Sequence, residues 1–259
     1  MKPGILVISH GSREEEWVRL VDNAVAAAAS SPRLVDVPVY SSFLEIVEGR
    51  LIQDGIDALE EQGVTELYVL PLFISSGSTH IDEIGQAFGL PPVAHLEGDL
   101  GVFRVQANVH VGLPIDDDPD IAELLLSNIR SLSVEPACEA ILLVAHGSKE
   151  EVFHERWQHG LSQLAERLRS LGGFAHADTA MLLPDQASER LRDMQRVRPD
   201  EAVLVVPLFL SKGYFTNKVI PTRLLGLEYR YNGQAMLPHR AIERWLEKHM
   251  AAWLNDVTR

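Results

Sequence analysis

Two stretches 136 positions apart constrain this chain more than any other feature. The apolar run from Ile5 ends in His10-Gly11-Ser12, and the run from Ala140 (AILLVA) ends in His146-Gly147-Ser148. Pro71-Leu72-Phe73 recurs as Pro207-Leu208-Phe209 at the same offset. Two landmarks sharing one offset mark an internal duplication. Each His-Gly-Ser follows a strand-like run and precedes a charged, helix-like segment. This predicts strand, tight turn and helix, with Ser12 as N-cap and Glu15 completing a capping box, and with Ser148 and Glu151 as their counterparts.

The elements between these landmarks alternate. Helical patterns are expected over 13–30, 46–62, 81–88 and 120–131, and strands over 35–43, 66–73 and 103–111. The second half repeats the order, with strands at 140–145, 174–182 and 201–209 and helices at about 150–171, 187–197 and 239–254. Strands separated by helices imply a parallel sheet covered on both faces. The fold class is therefore α/β, with two similar domains, 1–134 and 135–259, each a mainly parallel four-stranded sheet flanked by helices. Leu113-Pro114 is echoed by Leu237-Pro238 at an offset of only 124, so the second copy is shorter between its PLF loop and its last helix.

Composition narrows the function classes. A net charge of −14 argues against nucleic acid, which needs clustered Lys and Arg to neutralise phosphates. No apolar segment approaches the ~20 residues of a membrane span, and the opening residues lack a signal-peptide pattern, so a cytoplasmic location is expected. The single cysteine, Cys138, allows no internal disulfide and reads as a buried thiol.

In a parallel sheet the C-terminal strand ends share one rim, where ligands bind. His10, Glu45 and His80 all follow such ends in the first half and can converge there. Two imidazoles and a carboxylate suit a borderline divalent metal and can also move protons near neutral pH. Taken singly, each histidine reads more readily as a hydrogen-bonded structural group; the set of three points to chemistry. At the common offset Glu45 corresponds to Met181 and His80 to Thr216 while His146 persists, so one site is expected, in the first half. The second half is then expected to form the opposite wall of a shared cleft, and a monomer to suffice. Candidate ligand-binding groups are Ser12 and Arg13 at the first turn, Ser76 and Ser78 in the loop before His80, and Lys212, Tyr214 and Phe215 after the second PLF. Cations beside aromatic rings suit a flat polyanion. His95, His110, His154, His159, His176, His239 and His249 show no ligand spacing, and Asp116 to Asp118 read as a solvated loop.

As a set, strand-His-Gly-Ser-Arg, Phe43-Leu44-Glu45, and PLF followed by a glycine-containing loop with a histidine resemble the class II tetrapyrrole chelatases of the CbiX/SirB type. The resemblance covers nearly the whole chain, because longer members hold two such domains in tandem. It implies insertion of Co²⁺ or Fe²⁺, with Ni²⁺ a further candidate metal, into sirohydrochlorin on the route to cobalamin or sirohaem. It also implies no permanently bound cofactor, His10 and His80 as metal-binding histidines, and Glu45 as the acidic residue. The loop Gly77-Ser78-Thr79-His80 is one residue longer than the family's Gly-x-His. A non-catalytic carrier of metal or tetrapyrrole would need the same ligands. A histidine phosphatase would place Arg directly before the histidine, where Ser9 and Ala145 stand here.

Overall fold

The computed structural model describes residues 1–94 and 96–258. Its elements run β1 (Pro3–Ser9), α1 (Glu15–Ala29), β2 (Val39–Phe43), α2 (Ile52–Glu61), β3 (Glu66–Pro71), α3 (Thr79–Ala87), β4 (Asn108–Val111) and α4 (Pro119–Ile129). The second half follows with β5 (Glu139–Gly147), α5 (Glu151–Gly172), β6 (His176–Leu183), α6 (Ala187–Val197), β7 (Ala202–Pro207), α7 (Ile220–Arg223) and α8 (Arg240–Val257).

The first sheet has the order β2-β1-β3-β4 and the second β6-β5-β7, all neighbours parallel. The central strands read as continuous apolar runs because both faces are covered: Ile5 to Ile8 and Ile141 to Ala145 are fully buried. The second sheet thus has three strands, not the expected four. Its missing fourth strand survives as one bridge, in which Val205 N–H donates to Arg230 O and Arg230 N–H to Val203 O, both at 2.9 Å. Strand β4 is also shorter than expected. Residues 103–107 leave the ladder because side chains take their amides, Gln53 that of Arg104 and the Glu60 carboxylate those of Gln106 and Ala107. Pro38 similarly delays β2 to Val39.

The compact units do not follow the expected division at 134/135. One comprises Met1–Phe73, Thr79–Pro114 and the segment from Ile242; the other comprises Ile74–Ser78 and Ile115–Ala241. Each unit takes its closing helix from the other half of the sequence. Within the first, Trp253 of α8 stacks on Tyr68 of β3 at 5.0 Å, and Ser31 donates to Glu247 of α8 at 2.7 Å. Within the second, α4 packs on α5, and Asn128 of α4 donates to Ala235 O at 2.9 Å. Cys138 ends an exposed turn over Pro136–Cys138 instead of being buried.

Glu139, 2 % exposed at the start of β5, organises the second unit. It accepts from the Ser133 hydroxyl (2.5 Å), the Val134 and Glu135 N–H groups (2.8 and 3.2 Å) and Arg230. Burial is the largest single influence on its carboxyl and opposes ionisation, but these donors together outweigh it and hold the pKa below the usual glutamate range. A lowered folded pKa contributes stability that is present above the unfolded value of about 4.3 and is lost as pH falls through the folded value. Glu139→Ala is expected to cost about 2–4 kcal/mol, leaving buried donors unmet, and to flatten the acid limb of stability. Urea melts at pH 7 and pH 4 check this; a midpoint unchanged at both would exclude it.

Candidate metal and macrocycle site

The site begins with the turn after β1. Leu44 N–H donates to Ser9 O at 2.8 Å and Glu45 N–H to His10 O at 3.2 Å, so pairing continues beyond the named strands and sets Glu45 beside His10. Gly11 makes this approach feasible. Its φ is +104°, and a Cβ there would lie 2.1 Å from Glu45 O. Ser12 then accepts from Glu14 N–H at 3.0 Å, and the helix starts only at Glu15 with Glu14 as N-cap. The expected Ser12–Glu15 capping box does not form, because the hydroxyl closes a local turn two residues ahead of the helix. Ser148 makes the same turn with Glu150, ahead of α5.

His80 arrives from the other side. Helix α3 starts at Thr79 instead of residue 81, which puts His80 in its first turn and Glu83 on the same face three residues on. His80 Nδ1 lies 2.9 Å from Glu83 Oε2. The rings of His10 and His80 meet edge to face at 4.9 Å, and Phe73 tilts against His80 at 6.3 Å. His10 Nδ1 faces Glu45 Oε1 at 3.6 Å and Gly11 O at 3.4 Å. The partners of both Nδ1 atoms are acceptors, which assigns the ring proton to Nδ1 and the lone pair to Nε2. The side chains are 46 % (His10), 53 % (Glu45) and 35 % (His80) exposed, open to an ion and to a larger ligand. Among the described residues no group of three His, Cys, Asp or Glu side chains is placed to hold a metal ion. The rim therefore offers a pair of imidazoles with a carboxylate alongside, not a closed cage.

Glu83 is the member that the sequence reading missed. Its signal was the His80-Ile81-Asp82-Glu83 spacing, which becomes legible once the helix includes His80. Asp82 is buried and accepts from Val93 N–H at 2.7 Å, tying the following loop to α3.

The second unit repeats the rim with different groups. Ser9 pairs with Phe43 but Ala145 with Met181, so Met181 matches Phe43 and Leu183 takes the place of Glu45. Consistently, a Cβ on Gly147 would meet Leu183 O at 2.5 Å. His80 is matched by Phe215, not Thr216: Phe215 meets His146 edge to face at 5.2 Å and stacks on Phe209 at 5.4 Å. Thr216 is buried. The shorter loop Gly213-Tyr214-Phe215 accounts for the one-residue shift. The corrected pairing puts Leu183 and Phe215 at the positions of Glu45 and His80, neither of them a carboxylate or an imidazole.

Other candidates fall as follows. Arg13 is exposed beside Ser12. Ser76 is engaged: its N–H and hydroxyl both donate to Asp116 Oδ1, at 2.8 and 3.1 Å. Ser78 is half-buried, its N–H donating to Ser75 O. Lys212 and Tyr214 are exposed, whereas Phe215 packs against the apolar core of the second unit. Asp116 is not simply solvated. It lines a cavity of about 340 Å³ with Ser76, Arg156 and His159, and burial pushes its carboxyl up against the lowering effect of the Ser76 donors. Asp117 pairs with Arg167, and Asp118 caps α4. His110 and His176 pair with Glu66 and Glu201; His154 meets Ser148 O, and His239 meets Ser127. His95 lies outside the described residues. Among the described residues no helix is long and apolar enough to cross a membrane.

Comparison with known proteins matches the duplicated organisation of the chain. A sequence profile described as CbiX matches residues 4–132 and 140–252. The chain is 26 % identical over 224 residues to a sirohydrochlorin ferrochelatase of Priestia megaterium, covering 83 % of this chain and 76 % of that protein. It is 25 % identical over 158 residues to the sirohydrochlorin ferrochelatase of Bacillus subtilis strain 168, covering 58 % and 53 %. Among solved structures, SirB from Bacillus subtilis with Fe³⁺ superposes with a TM-score of 0.75 at 18 % identity, over 96 % of this chain and 94 % of that one. SirB from subspecies spizizenii in complex with cobalt gives 0.64 at 17 % identity, over 96 % and 93 %.

Proposed function

The chain belongs to the CbiX family, and from that membership we propose that it is a chelatase inserting Fe²⁺ or Co²⁺ into sirohydrochlorin, for sirohaem or cobalamin synthesis. The observation that carries this reading is the facing pair His10 and His80, 4.9 Å between ring centroids, with Glu45 3.6 Å from His10. The names of the two relatives, both sirohydrochlorin ferrochelatases, support the substrate and favour iron.

The metal is a substrate here, and the donor set suits a substrate. A resident structural ion is closed in by about four protein ligands, whereas two imidazoles grip a passing ion and leave coordination sites for incoming nitrogens. In this mechanism the two Nε2 atoms displace water from the ion and hold it at the rim. The macrocycle approaches with its inner nitrogens towards the ion. Two N–H protons leave as the four ring nitrogens bind the ion and its bonds to the two imidazoles break, so one dication enters and two protons depart. The Glu45 carboxylate stands within reach of the same ion-binding ring and takes these protons in turn, passing them to water from its exposed position. Ser12 and Arg13 at the same rim offer a hydroxyl and a cation to the macrocycle's carboxylates.

Glu83 holds the His80 Nδ1–H and so keeps its Nε2 as the donor atom. Glu83→Ala is expected to weaken metal use about 10–100-fold, read as a rise in the KM for metal, with Glu83→Gln recovering part of it because an amide oxygen still accepts. Equal kinetics for both variants and wild type would remove this role.

The function is tested by anaerobic ultraviolet-visible monitoring of sirohydrochlorin with Fe²⁺, Co²⁺ and Ni²⁺ in turn. With macrocycle in excess over protein, an enzyme converts many equivalents, whereas a carrier stops at one. A rate no faster than the protein-free reaction with all three metals would overturn the proposal.

A further inference from the structure

We propose that the rim of the second unit binds a metallated, carboxylate-bearing tetrapyrrole, with His146 as axial ligand to a metal that the macrocycle already holds. The ligand class follows from the proposed function; the site follows from the residues that have replaced the first unit's donors.

His146 is exposed at the end of β5, and its Nδ1 lies 3.0 Å from Gly147 O. A carbonyl can only accept, so Nδ1 carries the proton and the Nε2 lone pair on the far side of the ring is left as a donor. Leu183 and Phe215 stand where the first unit has Glu45 and His80. A hydrated dication would exchange its water for a single nitrogen here, a poor trade for an ion that prefers several protein ligands. A metal with four equatorial nitrogens from a macrocycle needs one axial donor, which is what remains. The surroundings suit a flat ring: Phe215 stacks on Phe209, and Tyr214, 67 % exposed, directly precedes Phe215 and meets its ring at 5.8 Å. Lys149, next to Ser148, Lys212 in the loop and Lys218 in the helical turn Phe215–Val219 are exposed, and none forms an ion pair among the described residues. In a chain of net charge −14 these cations complement peripheral carboxylates. Binding forms one metal–Nε2 bond and releases one axial water, with no change of oxidation state.

The test uses the full chain carrying His10→Ala and His80→Ala, so that the first unit's imidazoles are gone, and iron(III)-sirohydrochlorin prepared chemically. Titration is expected to shift the Soret band and give a ferric electron paramagnetic resonance signal distinct from that of the free complex. Adding His146→Ala should abolish that signal and weaken binding at least tenfold, while His146→Met should restore ligation with a different spectrum. Metal-free sirohydrochlorin should bind equally with and without His146. An unchanged spectrum on His146→Ala, or an equal loss of metal-free macrocycle, overturns the proposal, as does Fe²⁺ alone binding at His146. Insertion by the wild-type chain is scored separately, so a failed insertion assay with intact His146 ligation would count against the chelatase reading alone.

Discussion

His10→Ala is expected to lower kcat/KM for metal insertion at least about 100-fold, or roughly 2.7 kcal/mol of transition-state stabilisation. His10 is the group that touches both partners of the site, with Glu45 at 3.6 Å and the His80 ring at 4.9 Å. In the proposed mechanism its loss removes one of two donors to the ion and separates the proton acceptor from the metal. The fold should survive, because the His10 side chain is 46 % exposed and its deletion opens no cavity, so stability should move by no more than about 1 kcal/mol. Insertion rates with Fe²⁺ and Co²⁺, paired with a thermal melt, check both halves. Wild-type kinetics in the folded variant would remove His10 from the mechanism, and with it the pairing argument.

The second large effect concerns the backbone beneath that histidine. Gly11→Ala is expected to cost about 3 kcal/mol or more, a fall in Tm on the order of 6–12 °C for a chain of this size. A Cβ would sit 2.1 Å from Glu45 O at φ +104°, so the residue must both adopt a left-handed conformation and push away a carbonyl that cannot yield cheaply. Because the displaced residue is Glu45, insertion should fall further than stability explains. Gly147→Ala should be similarly destabilising, with φ +81° and Leu183 O at 2.5 Å. Gly49→Ala is the control: φ is +73° with nothing within 4 Å, so only the conformational cost of about 1–2 kcal/mol applies. Equal melting temperatures for Gly11→Ala and Gly49→Ala would refute the close-approach argument.

Gly11 also shows how far local pattern carries. That His-Gly-Ser repeats was plain in the residues, and the repeat assigned the turn to the fold and the chemistry to what surrounds it. What surrounds it was legible in identity but not in register. Glu45 was matched to Met181 by counting, whereas the ladder matches it to Leu183, because β6 is offset by two residues relative to β5. Counting also matched His80 to Thr216, while ring contacts match it to Phe215. Sequence offset assumes equal loops; hydrogen bonds and ring packing measure where the chain actually goes. Glu83 stayed hidden for the related reason that helix starts are set by where the first turn closes, and here that is at Thr79.

By itself the sequence determined a duplicated parallel α/β chain, its strand runs, its His-Gly-Ser turns and the trio His10, Glu45 and His80. These rest on short-range causes: buried parallel strands need continuous apolar runs, and tight turns need glycine. Tertiary structure alone decided which helix closes which sheet, so that α4 joins the second unit and α8 the first. An apolar helix face specifies that it must cover a sheet, but in a duplicated chain it meets two sheets of nearly the same shape. The choice depends on which surface each connecting loop brings it to, as in the exchange of elements between identical subunits. The same non-local step sets Glu83 on His80 and Phe215 on His146, and so separates a rim with two facing imidazoles from one with an imidazole facing a phenyl ring.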